Sequence, residues 1–407
     1  KLYAEGNQSN SSYYVIQQQS GGLLDNISIV NNYIDGGYYA IYLYGKGSGI
    51  ANFNTNITVD SNEITNGYNY QLMAYYTSFK SISNNIVSTG TTIKAGNFYG
   101  IYIYYVDVEK LCNNKIFTRL PMTSTIYGIY SYYLNTSTTG MPNALIANNE
   151  IKVEGSSTTY GMRLYYANVD VIHNSIYANS TTTNYGVYSY GGSTSYIHNI
   201  KNNNIVCATY SSSYPTYING TAALPGWTMD YNNYYAPNYV GYCGGAHNTM
   251  AAWQSATSQD LHSVRVYPTY FNLDRGLLIM NDNGIQCPLD SMVMFDIRGI
   301  SRDTITSIGA YHYKKNNVDV YPSHVISPLS SSVVGISTPL TVAIYNLGID
   351  TITSMHIGWE VNGVVQTPFS WTGSLATDDT VIVTIGNFIP QLKNNTIIVY
   401  TFNPNST

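Results

Sequence analysis

The sequence predicts an all-β protein built as a parallel β-solenoid over about residues 1–313, followed by a small β-sandwich over about 318–407. Three observations carry this prediction. Two independent motifs keep one period, each period holds short alternating apolar segments, and the pattern stops near residue 314.

The first motif reads Tyr-Gly-aliphatic-x-x-Tyr or close to it, at Tyr39-Ala40-Ile41, Tyr70-Gln71-Leu72, Tyr99-Gly100-Ile101, Tyr127-Gly128-Ile129, Tyr160-Gly161-Met162 and Tyr185-Gly186-Val187. Its five intervals average about 29 residues, a repeat-array period. The second motif, Asn-x-Ile or a near variant, recurs at Asn32, Asn62, Asn84, Asn114, Asn149, Asn174, Asn203 and, as Asn-Tyr-Tyr, Asn233. Its intervals also average about 29 residues.

Within a period the alternation has period two, and no helix is indicated. Ile41 and Leu43, Ile101 and Ile103, and Met162 and Leu164 fall on one face; Tyr42 and Tyr44, Tyr102 and Tyr104, and Arg163 and Tyr165 fall on the other. One aliphatic face per rung, with Asn and Gly between, describes turns that stack so that the inward residues form a continuous core. Asparagine suits the corners, because it tolerates left-handed backbone angles and its amide bonds to the same amide one rung away. The asparagine alignment sets Lys115 beside Glu150 on consecutive rungs, which predicts a surface ladder pair worth under about 1 kcal/mol.

After the polar break Lys314-Lys315-Asn316-Asn317, with Pro322 and Pro328 following, come five alternating runs: Leu340–Tyr345, Met355–Val361, Val364–Trp371, Thr380–Ile385 and Thr396–Phe402. Asn362-Gly363 between the second and third is a strong hairpin signal. Strands this short and closely spaced indicate a sandwich with Trp359 in its core.

The rungs Ile29-Val30-Asn31-Asn32-Tyr33-Ile34 and Ile146-Ala147-Asn148-Asn149-Glu150-Ile151 resemble right-handed parallel β-helix repeat proteins. Met229-Asp230-Tyr231-Asn232-Asn233-Tyr234-Tyr235, Ala251-Ala252-Trp253-Gln254 and Val266-Tyr267-Pro268-Thr269-Tyr270-Phe271 look like late rungs of such proteins from Bacteroidota. Asp296-Ile297-Arg298-Gly299 through Arg302 to Ile308-Gly309-Ala310-Tyr311 resembles their closing segment, here spanning about 206–313. The run from Ile344 to Ile352, then Gly358-Trp359-Glu360-Val361-Asn362-Gly363, is similar to the CARDB-type, adhesion-related Ig-like module. This resemblance implies a right-handed β-helix, an Ig-like sandwich, a cell-surface or extracellular location and export by the type IX route.

Composition narrows the function. Only 10% of the 407 residues are charged, with a net charge of −5, against roughly 25% charged residues in an ordinary domain. No basic stripe is present for a nucleic-acid partner, and no apolar run approaches the roughly 18 residues of a membrane span. The chain's first residues do not form a signal peptide, and no sorting signal ends it, so a mature or excised piece of a longer chain or surface assembly is expected. Cys112, Cys207, Cys243 and Cys287 include no CxxC pair and the histidines, such as His173, His198 and His247, no metal-like spacing, so neither a metal nor a cofactor is expected. Cys243 and Cys287 fall in the irregular closing region, where a disulfide clasp between them is a candidate.

β-Helices often host polysaccharide lyases and hydrolases, so catalysis has to be weighed. A glycoside hydrolase needs two carboxyl groups about 5 to 9.5 Å apart, and Asp25, Asp60, Asp107 and Asp170 do not share a column on neighbouring rungs. A lyase would need a basic residue beside an acidic cluster, and Arg163 is the one basic residue of the Tyr-Gly strands.

Tyrosine is the prominent surface residue, 43 of 407. Four positions after each Gly-equivalent stand Tyr44, Tyr75, Tyr104, Tyr132, Tyr165 and Tyr190; two positions after stand Tyr42, Tyr102, Tyr130 and Tyr188, with Met73 and Arg163 as exceptions. Alternation points both sets outward, as an aromatic stripe along one face. Such a stripe either braces the rungs by ring stacking or binds sugar rings or a protein partner. Four Asp-Ser/Thr-apolar triplets, centred on Ser291, Thr304, Thr351 and Thr380, resemble O-glycosylation acceptors of Bacteroidota. Asp-Thr is also common at turns. The expected function is a non-catalytic extracellular adhesin or stalk that contacts glycans or cell-surface proteins. A polysaccharide-degrading enzyme and a surface-filament subunit are the alternatives.

Overall fold

The computed structural model describes residues 1–4, 9–19, 21–91, 96–209, 212–328, 333–392 and 394–406. The chain is nearly all β and divides into two compact units, Lys1–Tyr313 and Lys314–Thr407.

The first unit is a parallel β-solenoid. A nine-stranded sheet collects one short strand from each rung, from Leu2–Ala4 through Glu63–Thr65, Lys115–Phe117 and Ser175–Ser180 to Asn233–Tyr235. Its inward column is Ile34, Ile64, Val87, Ile116, Ile151, Ile176, Ile205 and Tyr234, each in register with the next and fully buried. A second, sixteen-stranded sheet forms the remaining faces, because Tyr70–Ser83 and Phe98–Cys112 run on past a bend and pair with different strands on each side of it. The Tyr-Gly segments form one of these faces. Ile41, Leu72, Ile101, Ile129, Met162 and Val187 point into the core, in register.

The asparagine corner has a two-residue logic. Asn31, Ser61, Asn84, Asn113, Asn148, His173, Asn202 and Tyr231 all have φ between 53° and 59° and turn the chain. The residue after each is an inward asparagine: Asn32, Asn62, Asn85, Asn114, Asn149, Asn174, Asn203 and Asn232. Asn32 opens the ladder, and each of the others accepts, through Oδ1, the backbone N–H and the side-chain amide of the asparagine one rung earlier, as Asn149 does from Asn114 at 3.0 and 3.0 Å. This corrects the sequence alignment at two rungs. Asn84 is a turn residue and Asn85 the ladder residue, and the ladder ends through Asn232 rather than Asn233. In a doubled asparagine, motif spacing alone does not say which amide faces in.

The Gly of the Tyr-Gly motif answers a close approach. A Cβ on Gly161 would stand 2.3 Å from Cγ2 of Ile176 and 2.6 Å from the carbonyl oxygen of Gly186. The nine-stranded sheet thus presses an isoleucine onto each of these glycines. Gly161→Ala is expected to destabilise the solenoid by about 1–3 kcal/mol through overpacking, read as a lowered denaturation midpoint; an unchanged midpoint would mean that this contact relaxes freely.

The late part closes the solenoid end and then one side. Sequence alternation indicates no helix, yet Met250–Thr257 is one, capped by Thr249 Oγ1, which accepts from the Ala252 N–H at 3.2 Å. It seats the fully buried Trp253, whose indole N–H donates to Asp260 Oδ2 at 2.8 Å. Residues beyond it fold back along the nine-stranded sheet, where Leu277, Ile285, Cys287, Ile308 and Tyr311 pack with Tyr177 and Val206. Glu150 is the pin of this cover. It accepts from the Leu277 N–H at 2.8 Å and from the Tyr311 hydroxyl. The Lys115–Glu150 contact is present at 3.8 Å, but the glutamate side chain is only 8% exposed. The pair is therefore no surface ladder, because the folded-back segment roofs its acid.

The expected Cys243–Cys287 clasp is not formed. All four cysteines are free, with Cys243 in the solenoid core and Cys287 on the folded-back segment, in separate apolar clusters.

The second unit pairs a three-stranded antiparallel sheet (Val320–Ser327, Thr338–Asn346, Thr380–Phe388) with a four-stranded one (Ile352–Val361, Val364–Val365, Phe369–Leu375, Ile397–Phe402). Leu340, Val342, Ile344, Ile357, Trp359 and Trp371 form its core. Asn362 and Gly363 have φ of 53° and 80°, as the hairpin signal requires. Val320–Ser327, absent from the five predicted runs, is an edge strand, where Pro322 removes no ladder bond that the sheet needs. The predicted run Val364–Trp371 is divided between two strands.

Candidate functional site

The tyrosine-clad face is the most extensive site feature of the solenoid. Its rings stand in four columns rather than two. The column before the Gly-equivalent runs Tyr14, Tyr39, Tyr70, Tyr99, Tyr127, Tyr160, Tyr185, Tyr214 and Tyr239. Its rings stack nearly parallel, at 4.6 Å for Tyr70–Tyr99 and 4.7 Å for Tyr99–Tyr127 and Tyr127–Tyr160. The next holds Tyr42, Met73, Tyr102, Tyr130, Arg163 and Tyr188 and extends to Tyr217 and Tyr242. Its rings meet the first column edge to face, as Tyr99 meets Tyr102 at 90°. The third is Tyr44, Tyr75, Tyr104, Tyr132, Tyr165 and Tyr190, with Tyr104 and Tyr132 parallel to within 5° at 5.1 Å.

The fourth column is Tyr76, Tyr105, Tyr133 and Tyr166, and strict alternation would bury it. Each of these residues has φ between 47° and 55°, which turns the ring out to the corner. A bulky side chain in this region costs about 1–2 kcal/mol, repeated here on four rungs. The stacked rings, such as Tyr105 on Tyr133 at 4.4 Å, offset part of it. Neither the first nor the fourth column had a signal in the alternation. Tyr99 shares the parity of the inward Ile101 and Ile103 and faces out because Gly100 and Ile101 are buried in succession, and in the fourth column alternation fails at a left-handed residue.

All the predicted stripe tyrosines lie on this face, half-buried apart from the exposed Tyr44. Ring crowding, not core packing, covers them. Burial pushes the Tyr42 and Tyr130 phenols up to about 12, so they stay neutral, hydroxyl-tipped plates at ordinary pH. Arg163 is the one charged residue in these strand segments. Its guanidinium lies 4.7 Å from the Tyr165 ring centroid and 5.1 Å from that of Tyr130, and it donates to the Tyr165 hydroxyl at 3.0 Å.

A second surface feature is a cleft of about 520 Å³ under the folded-back segment, with Lys115, Arg119, Glu150, Lys152, Glu154 and Asp274 among its walls. Glu150, Lys152 and Glu154 alternate along one strand, so the two glutamate Cα atoms are about 13 Å apart. The lysine between them pairs with Glu154 at 2.7 Å. The other acids are scattered as their spacing predicts. Asp60 has Val30 and Ser83 as ladder neighbours, and Asp170 has Leu145 and Asn199.

His173 and His198 are buried, and His173 bonds Gly309 O and Asn202 beneath the closing segment. Among the described residues no three His, Cys, Asp or Glu side chains form a metal-ligating group, and no helix is long and apolar enough to cross a membrane. Ser291, Thr304, Thr351 and Thr380 are all exposed.

Fold and face together define a parallel β-solenoid with a tyrosine-clad side, followed by a β-sandwich unit. No known family, curated protein or solved structure matches the chain.

Proposed function

We propose that the chain is a non-catalytic extracellular or cell-surface protein, an adhesin or stalk whose tyrosine face holds glycan chains. The single observation behind this reading is the four-column aromatic face, which carries one formal charge and no acid. Sugar rings stack on flat aromatic plates, and the phenol hydroxyls supply hydrogen bonds at the plate edges. A solenoid repeats the same plate on every rung, which suits a polymer better than a single small molecule. The likeness to Bacteroidota β-helix and CARDB-type surface proteins, with type IX export, supports the location and rests on the motifs alone. The exposed Ser291, Thr304, Thr351 and Thr380 remain O-glycosylation candidates under the same reading.

The enzyme alternative has the cleft beside Glu150 as its best site. There two of the acids, Glu150 and Glu154, are each engaged by a neighbouring side chain.

The test is incubation of the purified chain with a panel of polysaccharides, scored for both retention and new chain ends. Retention without cleavage is the expected result. New reducing or unsaturated ends would overturn the reading in favour of the enzyme. Neither signal, together with concentration-dependent assembly, would move it to the filament.

A further inference from the structure

The fourth tyrosine column borders a pocket that the face itself leaves unused. It has a volume of about 240 Å³, and its walls include Phe53, Tyr105, Tyr133, Ser137 and Tyr196, with Asp107 at its base. This is below the roughly 300 Å³ at which drug-sized sites begin, so it takes one ring or one head group.

Asp107 follows Tyr105 by two residues on the strand Phe98–Cys112, just past the left-handed turn that faces that ring outward. The aspartate is 1% exposed. One carboxylate oxygen, Oδ2, accepts from the Ser137 hydroxyl; the other, Oδ1, has no hydrogen-bond partner. No Lys or Arg pairs with it among the described residues. Burial raises its pKa, and only the Ser137 contacts act against that rise.

A buried carboxylate with a free oxygen and no counter-charge is costly unless something completes it. The surroundings specify what. Aromatic walls attract cations through their ring faces, and a carboxylate takes an ammonium through a short charge-assisted hydrogen bond. An anionic ligand is repelled, and a purely apolar one leaves Oδ1 unpaired.

We propose that this pocket binds the ammonium group of an amino-sugar unit, with Asp107 as its anion and Tyr105, Tyr133 and Tyr196 as its aromatic walls. The proposal rests on the reading of the tyrosine face as a glycan surface, since Tyr105 and Tyr133 belong both to that face and to the pocket wall. A chain lying across the columns delivers one unit over the corner to Asp107.

Calorimetric titration of the whole chain with D-glucosamine, N-acetyl-D-glucosamine and D-glucose tests it. Glucosamine is expected to bind at least about tenfold more tightly than either neutral sugar, the contribution of one charge-assisted bond to a buried carboxylate. Asp107→Asn, which keeps an acceptor for Ser137, is expected to remove that preference. Equal affinity for the three sugars, or no binding of glucosamine, overturns the proposal. If the variant does not fold, the three-sugar comparison on the unaltered chain still decides. Polysaccharide retention without a glucosamine preference would sink the pocket and keep the face; a glucosamine preference without retention would do the reverse.

Discussion

Asn149→Ala is expected to lower the unfolding free energy of the solenoid by about 3–5 kcal/mol, near the top of the range for a single substitution. Asn149 is fully buried at the middle of the ladder. Its Oδ1 takes two donors from Asn114, the backbone N–H and the side-chain amide. Its own amide donates to the Leu111 carbonyl and to Asn174 Oδ1, both at 2.9 Å. Alanine removes all four bonds and leaves buried donors and acceptors with no water to replace them. Asn149→Asp keeps both acceptor bonds but loses both donated ones, setting a carboxylate against two oxygens, so it should not rescue. The same logic separates the adjacent asparagines. Asn85→Ala should cost about as much as Asn149→Ala, while Asn84→Ala should cost about 1 kcal/mol, the left-handed turn being its main duty. Urea unfolding followed by circular dichroism reads all four. Equal losses at positions 84 and 85 would contradict the ladder register.

Replacing Tyr104 and Tyr132 together by alanine is expected to weaken retention on the captured polysaccharide by about tenfold or more. These two rings are the flattest plate of the third column, parallel to within 5°. Tyr75 and Tyr165 continue the column at 5.3 and 5.8 Å. A sugar chain would lose two adjacent stacking surfaces at once. The rings also brace one another, each stacked pair being worth about 0.5–1.5 kcal/mol beyond its area, so some loss of stability accompanies the loss of binding. The contrast with Tyr99→Ala separates the two roles. Tyr99 lies in the more crowded first column, between Tyr70 and Tyr127 at 4.6 and 4.7 Å, and its loss should act mainly on stability. Retention that survives the double substitution while the denaturation midpoint falls would show that the rings serve the fold, not a ligand.

The sequence determined the architecture because stacked rungs repeat their demands. Each turn must bury the same column, bond the same corner and turn at the same place, so Ile34 to Ile205 and Asn32 to Asn232 recur at a readable period. Strand alternation likewise sets the outward tyrosines from Tyr42 to Tyr190, and Asn362-Gly363 fixes its hairpin because both residues accept positive φ. What lay beyond the repeat was decided in three dimensions. Choosing Asn85 over Asn84 depends on which amide meets Asn62 and Asn114. Glu150 became the pin of the closing segment because chain more than 120 residues later folds back onto it. Tyr105 and Tyr133 face outward only because left-handed backbone breaks the alternation, and that same break sets Asp107 at the base of a pocket. Local pattern specifies what every rung has in common; contacts between distant segments, and backbone angles that a pattern of polar and apolar residues does not encode, decide what makes one rung different from the next.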